Sequence, residues 1–323
     1  MHKETKDLLL IIALFIVAAV ASLFFMSGEP KMIVESDGGY DDVLALAVLA
    51  HHAPEELGMI VSSYGSGSLD DAVRANLAAC ETFGIDVPVL KGAAQPVEAP
   101  PARIRRETAA DLLPAAHRTA ADGDAVDAVY QFAKKHGKID YVALGPLTTL
   151  AQVLERYPDF PRYVRKVTFS GAAISEFDVN DCAEFNVYCD AVSAARVFDA
   201  GMFTQVLVNE IAVANAFDRS EVLHATDAGT PQAEAARALL LASEAQNRAL
   251  GRDGADVSDV IAALYNIRPS YYAKRGWAAT ALSVTTSGAA YGQTVRDHHL
   301  MNIRYPTVVV KPFFVSMLRE ALQ

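Results

Sequence analysis

Past residue 31 the chain alternates short apolar runs with longer stretches of helical periodicity. Segments 31–34, 57–62, 87–90, 139–144, 164–170 and 204–208 predict strands, and 41–51, 69–83, 125–136, 147–157 and 191–199 predict helices between them. Alternation of this kind winds into right-handed βαβ units: an α/β fold with a mostly parallel central sheet flanked by helices, a Rossmann-like core. Helices near 231–250 and 257–265 and strands near 280–285 and 306–310 follow, while 92–122, rich in Ala, Pro and Arg, predicts a long loop. Functional groups in such a sheet gather beyond the carboxyl ends of the strands.

The first 31 residues follow another pattern. Leu8 to Met26 is a 19-residue run without charge, preceded by Lys3 and Lys6. About 20 apolar residues cross a bilayer as a helix, and the flanking lysines favour a cytoplasmic N-terminus. The expectation is a transmembrane signal-anchor helix and linker over 1–31, a membrane-anchored chain, and an extracytoplasmic globular domain over 32–323. Signal cleavage at Ala19-Val20-Ala21 is the alternative and would release a secreted domain.

Composition narrows the class. The 323 residues are 52% hydrophobic and 21% charged, with 28 basic against 39 acidic residues and a formal charge of −11. That is a globular composition; its acidity, with no basic run interleaved with aromatics, argues against a nucleic-acid partner. Three cysteines without a CxxC pair exclude a disulfide-dense scaffold and argue against structural zinc. A disulfide between Cys182 and Cys189, and self-association into a homo-oligomer, both stay open.

Candidate chemistry concentrates in the turn after the first strand. Glu35-Ser-Asp37-Gly-Gly-Tyr-Asp41-Asp42 places four carboxylates in eight residues. Gly38 and Gly39 allow a tight turn, and the helix dipole favours Asp41 and Asp42 in the first helical turn. That benefit covers one or two acids; four repel one another unless a cation neutralises them. Oxygen ligands with no His or Cys nearby suit Ca²⁺ or Mg²⁺. A solvated acidic turn capping a helix gives the same local pattern, and a Mg²⁺ phosphohydrolase also carries an acidic loop after a strand.

The same turn resembles the N-terminal signature D-x-D-P-G-x-D-D of the inosine-uridine preferring nucleoside hydrolases, with Glu35 for the first Asp and Gly38 for Pro. Ala143-Leu-Gly-Pro-Leu-Thr-Thr-Leu150 resembles that family's G-P-L-T-N-L segment, with Thr149 for Asn. Ser170-Gly-Ala-Ala173, followed by Glu184-Phe-Asn186 and Asp190, resembles M-G-G-G…E-F-N…D-P. Val257-Ser-Asp259 resembles the late H-D helix start, with Ser258 for His. The resemblance runs from about residue 32 to 320.

The resemblance implies a nucleoside hydrolase-like fold and Ca²⁺-dependent hydrolysis of the N-glycosidic bond of a ribonucleoside, through an oxocarbenium-like transition state. Asp37, Asp42 and Asp259 would hold Ca²⁺ through carboxylates and Leu144 through its backbone carbonyl. Asp37 would also be the catalytic base. Asp41, Asp178, Glu184 and Asn186 would bind the substrate sugar, Glu184 and Asp178 toward the 5′ end, with Asn180 a rival for Asp178. Tyr64, Asp256 and Tyr265 are candidate helpers for the leaving base. Glu35, Ser66 and Ser258 depart from the family pattern and keep a second reading open: a non-catalytic nucleoside- or ribose-binding member.

Overall fold

The computed structural model describes residues 31–270, 276–297 and 303–323. Among these residues nine strands form one sheet: β1 (Met32–Ser36), β2 (Leu57–Ser62), β3 (Val89–Lys91), β4 (Ile139–Ala143), β5 (Val164–Ser170), β6 (Thr204–Leu207), β7 (Trp277–Val284), β8 (Thr294–Asp297) and β9 (Ile303–Pro306). Their order is β3-β2-β1-β4-β5-β6-β9-β7-β8. Pairings from β3 through β9 are parallel, with Val34 of β1 opposite Ile60 of β2 on one side and Val142 of β4 on the other. β7 runs antiparallel to both β9 and β8, so the sheet is mixed.

Every residue of β1 and β4 is buried, because helices cover both faces of the sheet. One layer contains Tyr40–His52, Leu69–Thr82, Pro231–Ala249, Ser258–Ile267 and Lys311–Ala321; the other contains Ala125–His136, Thr148–Arg156 and Ala191–Asp199. Tyr40–His52 is buried at every position from Asp42 to Leu49, as suits a helix packed among Leu69–Thr82, Pro231–Ala249, Ser258–Ile267 and Lys311–Ala321. Ala125–His136 shows the ordinary surface pattern. Asp124 accepts from the amides of Val126 and Asp127 at its start, and Lys134, Lys135 and His136 fill its last turn.

The chain runs outward through β1, β2 and β3, then returns to place β4 on the other side of β1. The crevice at the carboxyl ends of β1 and β4 is therefore a topological switch point, where open α/β sheets bind ligands.

Two expectations need correction. The membrane-spanning helix expected over Leu8 to Met26 lies outside the described residues, and among the described residues no helix is long and apolar enough to cross a membrane. Pro231–Ala249 has the length but carries Glu234, Arg237, Glu244 and Arg248; Tyr40–His52 is apolar but has only 13 residues, about 20 Å of helix. The fold is thus an α/β fold with a mixed sheet, and the transmembrane helix is withdrawn from it. The strand expected at 306–310 is also displaced: β9 ends at Pro306 and Lys311–Ala321 forms a helix. That helix buries Phe314, Val315, Met317 and Leu318 at helical spacing, in a stretch to which the sequence reading assigns no element. Cys182 and Cys189 are free thiols.

Candidate active site

The turn after β1 is shaped by close contacts. Gly38 takes φ +78°, and a Cβ there would meet the Ala72 Cα at 2.8 Å. Gly39 caps the following helix, and Asp42 in its first turn folds back to accept from the amides of Gly39 at 3.2 Å and Asp37 at 2.9 Å. Asp37 in turn accepts from the Gly39 amide at 3.2 Å and, across the crevice, from the Ser66 amide at 2.8 Å. Its walls are main chain. A Cβ on Gly65 would fall 2.1 Å from Asp37 Oδ2, and one on Gly145 would fall 2.8 Å from Asp37 Cβ. Ser66 thus serves Asp37 through its backbone.

Opposite this turn, Ser258–Ile267 presents its N-terminus. The Ser258 hydroxyl donates to Asp41 Oδ2 at 2.9 Å and the Asp259 amide to the same oxygen at 3.3 Å. Asp41, Asp42 and Asp259 each bring a carboxylate oxygen within 4.8 Å of the others. Asp37, Asp42 and Asp259 are each only 2% exposed. Burial holds Asp42 and Asp259 well above the usual carboxylate range, and the neighbouring acids push further: Asp37 and Asp41 act on Asp42, Asp41 and Asp42 on Asp259. Burial also raises Asp37, against hydrogen bonds from Ser66, and pushes Asp41 up to about 7 with help from Asp256.

Asn186 borders this group. Its Nδ2 donates to the carbonyls of Leu144 and Ser170, both at 2.9 Å, which leaves Oδ1 buried without a hydrogen-bond partner. Glu184 caps the short helix Phe185–Cys189 through the amides of Asn186 at 2.8 Å and Val187 at 3.0 Å, and accepts from the Ala172 amide at 2.9 Å. Burial, then Asp178, pushes Glu184 up to about 7. Asp178 Oδ2 accepts from the Arg106 guanidinium and has Arg252 at 3.7 Å; its Oδ1 is buried without a partner. Arg106 lies 4.2 Å from the Phe185 ring centroid. Burial opposes its charge, but Asp178, Asp256 and Glu184 outweigh that and raise its pKa.

One pocket is lined by all eight residues that the resemblance would make metal ligands, base or sugar contacts: Asp37, Asp41, Asp42, Leu144, Asp178, Glu184, Asn186 and Asp259. The grouping within 4.8 Å holds the expected Asp42 and Asp259, with Asp41 in it where Asp37 was expected. Asp178 lines the pocket, whereas its rival Asn180 donates to the Tyr291 carbonyl. Asp256 and Ser258 also line it. Tyr64 instead borders a neighbouring pocket with Pro96, Ile104 and Tyr188, and Tyr265 is buried in the core. Glu35 accepts from the Tyr141 hydroxyl at 2.7 Å, away from the pocket lining. Sequence reasoning missed Arg106 and Asn209, which also line the pocket. Arg106 comes from the aperiodic 92–122 segment beside Arg103 and Arg105, where nothing local marks one arginine as buried.

Comparison with known proteins agrees along the domain. The family model for inosine-uridine preferring nucleoside hydrolases matches residues 32–316. A probable uridine nucleosidase 1 of rice (Oryza sativa subsp. japonica) is 27% identical over 305 residues, covering 88% of this chain and 91% of that protein. The pyrimidine-specific ribonucleoside hydrolase RihB of Escherichia coli (strain SE11) is 26% identical over 285 residues, covering 83% and 87%. The solved structure of a plant nucleoside hydrolase, PpNRh1, superposes with a TM-score of 0.81 at 23% identity, covering 91% of this chain and 99% of that one, and shares the fold. With a family match over almost the whole domain and the acidic crevice at the switch point, this chain belongs to the inosine-uridine preferring nucleoside hydrolase family, N-glycosyl hydrolases that cleave nucleosides.

Proposed function

We propose that the chain hydrolyses ribonucleosides to free base and ribose with a bound Ca²⁺ and with Asp37 as general base. The observation that carries this reading is the group of half-buried Asp41 with buried Asp42 and Asp259, beside the unpartnered Asn186 Oδ1. Buried acids this close resist ionisation unless a cation sits among them, and the donor set is entirely oxygen, which suits a hard divalent ion. The residues present therefore fit the ion: Asp37, Asp42 and Asp259 would hold it by carboxylates and Leu144 by its carbonyl, with Asp41 close by. When bound, Ca²⁺ supplies coordination sites for water and sugar hydroxyls and lowers the pKa of such water modestly.

The remaining chemistry belongs to the chain. Asp37, fixed by the amides of Gly39 and Ser66, takes the proton from the attacking water. Asp41 and Asn186 orient the vicinal ribose hydroxyls, while Glu184 and Asp178 receive the 5′-hydroxyl. Packed negative charge stabilises the cationic character that develops on the sugar as the base departs. Ser258, committed to Asp41, has no titrating group to lend to the leaving base. The test is release of reducing sugar from inosine and uridine by the full-length protein, with Ca²⁺ and after chelation. Turnover that disappears on chelation and returns with Ca²⁺ supports the reading. Nucleoside binding without any ribose release would instead make this a binding protein.

A further inference from the structure

We propose that Arg106 is a positioning residue for this reaction. It clamps the 92–122 segment onto the pocket and holds Asp178 so that the unpartnered Oδ1 accepts the 5′-hydroxyl of the nucleoside. The proposal rests on the placement of the sugar given above.

Arg106 joins the two ends of the pocket. Its backbone amide donates to the Ser66 carbonyl at 2.9 Å, and the amide of the same Ser66 holds Asp37. Its guanidinium reaches the other end, pairs with Asp178 Oδ2 and lies over Phe185. Asp178 itself opens a tight reversal. Its amide and that of Val179 both donate to the Ala183 carbonyl at 3.0 Å, and Asn180 and Asp181 take φ of 45° and 56°. The backbone thus sets where Asp178 starts, and Arg106 sets how its carboxylate turns. With Arg252 near the same Oδ2, charge compensation is confined to one oxygen. The other is a buried acceptor that a ligand hydroxyl can satisfy, and burying it unsatisfied is costly. Lysine supplies the charge at this position but not the planar group over Phe185.

The experiment compares uridine with 5′-deoxyuridine for the full chain with Ca²⁺, using wild type, Arg106→Met, Arg106→Lys and Arg106→Met/Asp178→Ala, with thermal melts alongside. Wild type should favour uridine about 10- to 100-fold in kcat/KM, the range expected for one buried acceptor left unpaired. Arg106→Met should lower kcat/KM for uridine more than for 5′-deoxyuridine, by about that factor, so the preference collapses. Arg106→Lys should recover part of it. An equal loss on both substrates, or a preference untouched by Arg106→Met, overturns the proposal. Should Arg106→Met fail to fold, the double variant decides, since it removes both charges and the acceptor together; a preference retained there also overturns it. A wild type inert toward both substrates sinks the hydrolase reading and this proposal with it. An active wild type whose preference ignores Arg106 sinks this proposal alone.

Discussion

At one end of the pocket Asp37, Asp41 and Asp42 come from a single turn of six residues, and Asp259 from the first turn of a helix packed against it. At the other end Arg106, Asp178 and Glu184 come from two irregular segments far apart in sequence, held by an ion pair and a ring contact. Backbone amides and main-chain walls fix the acids of the first end, so their positions follow from the sheet and its helices. Backbone amides hold Glu184 at the second end too, but side-chain partners orient Arg106 and Asp178, so that pair's geometry depends on residues that could be exchanged singly. The first arrangement suits chemistry that tolerates little displacement; the second suits discrimination among substrates.

The sharpest way to break this contrast is Asp37→Asn. The side chain keeps its shape and its acceptor for the Ser66 amide, and loss of the longer bond from the Gly39 amide is offset by removal of a buried acid, so the melting temperature should stay within a few degrees, while kcat falls about 10²–10⁴-fold. A loss under tenfold in a ribose-release assay would move the base to another group, Asp41 first. Asn186→Ala comes next. It removes the bridge between the Leu144 and Ser170 carbonyls, and a sugar misplaced by an ångström costs about 10² in turnover. Full activity in that variant would detach Asn186 from the reaction.

Removing the cation tests the acidic end by stability. Asp41 and Glu184 bind protons more tightly folded, at about 7, than unfolded, at 3.8 and 4.5. Their contribution is greatest below pH about 4 and is lost as the pH rises to about 7. Chelated protein should therefore melt lower at pH 8 than at pH 5. Ca²⁺ at 100 times its Kd should restore about 2.7 kcal/mol at the higher pH. Identical melting curves with and without Ca²⁺ at pH 8 would remove the ion from this site. The smallest effect is expected at Glu35, which burial pushes up to about 7 although it lies outside the pocket. Glu35→Gln should leave kcat nearly unchanged and raise chelated stability at pH 8 by about 1 kcal/mol, with less gain at pH 5. A large fall in kcat would bring Glu35 into the chemistry.

The unequal construction of the two ends also explains what the sequence made legible. The parallel strands announced themselves as buried apolar runs between amphipathic helices, and the acidic turn as carboxylates around two glycines. Asp259, 217 residues after Asp42, was reached only through the resemblance of its helix start. Arg106 escaped because an ion pair between irregular segments leaves no periodic trace, and three arginines within four residues look alike until one is buried. The departure of Glu35 from the family pattern was visible, but its reason was not: the carboxylate pairs with Tyr141 on β4. The antiparallel β7 could not be told from another parallel strand, since strand direction is set by pairing with β8 and β9 and leaves no mark in the strand's own residues.

Gly65 and Gly145 leave Asp37 no room beyond main chain. In genetic terms their codons behave as part of the reaction although neither residue carries a functional group. A Gly65→Ala missense allele, among the mildest lesions by any substitution table, should yield a folded and normally expressed protein with the phenotype of a deletion. In a directed-evolution library aimed at new nucleobases, diversity can be spent on the 92–122 segment, while these two codons set the floor below which no variant survives selection.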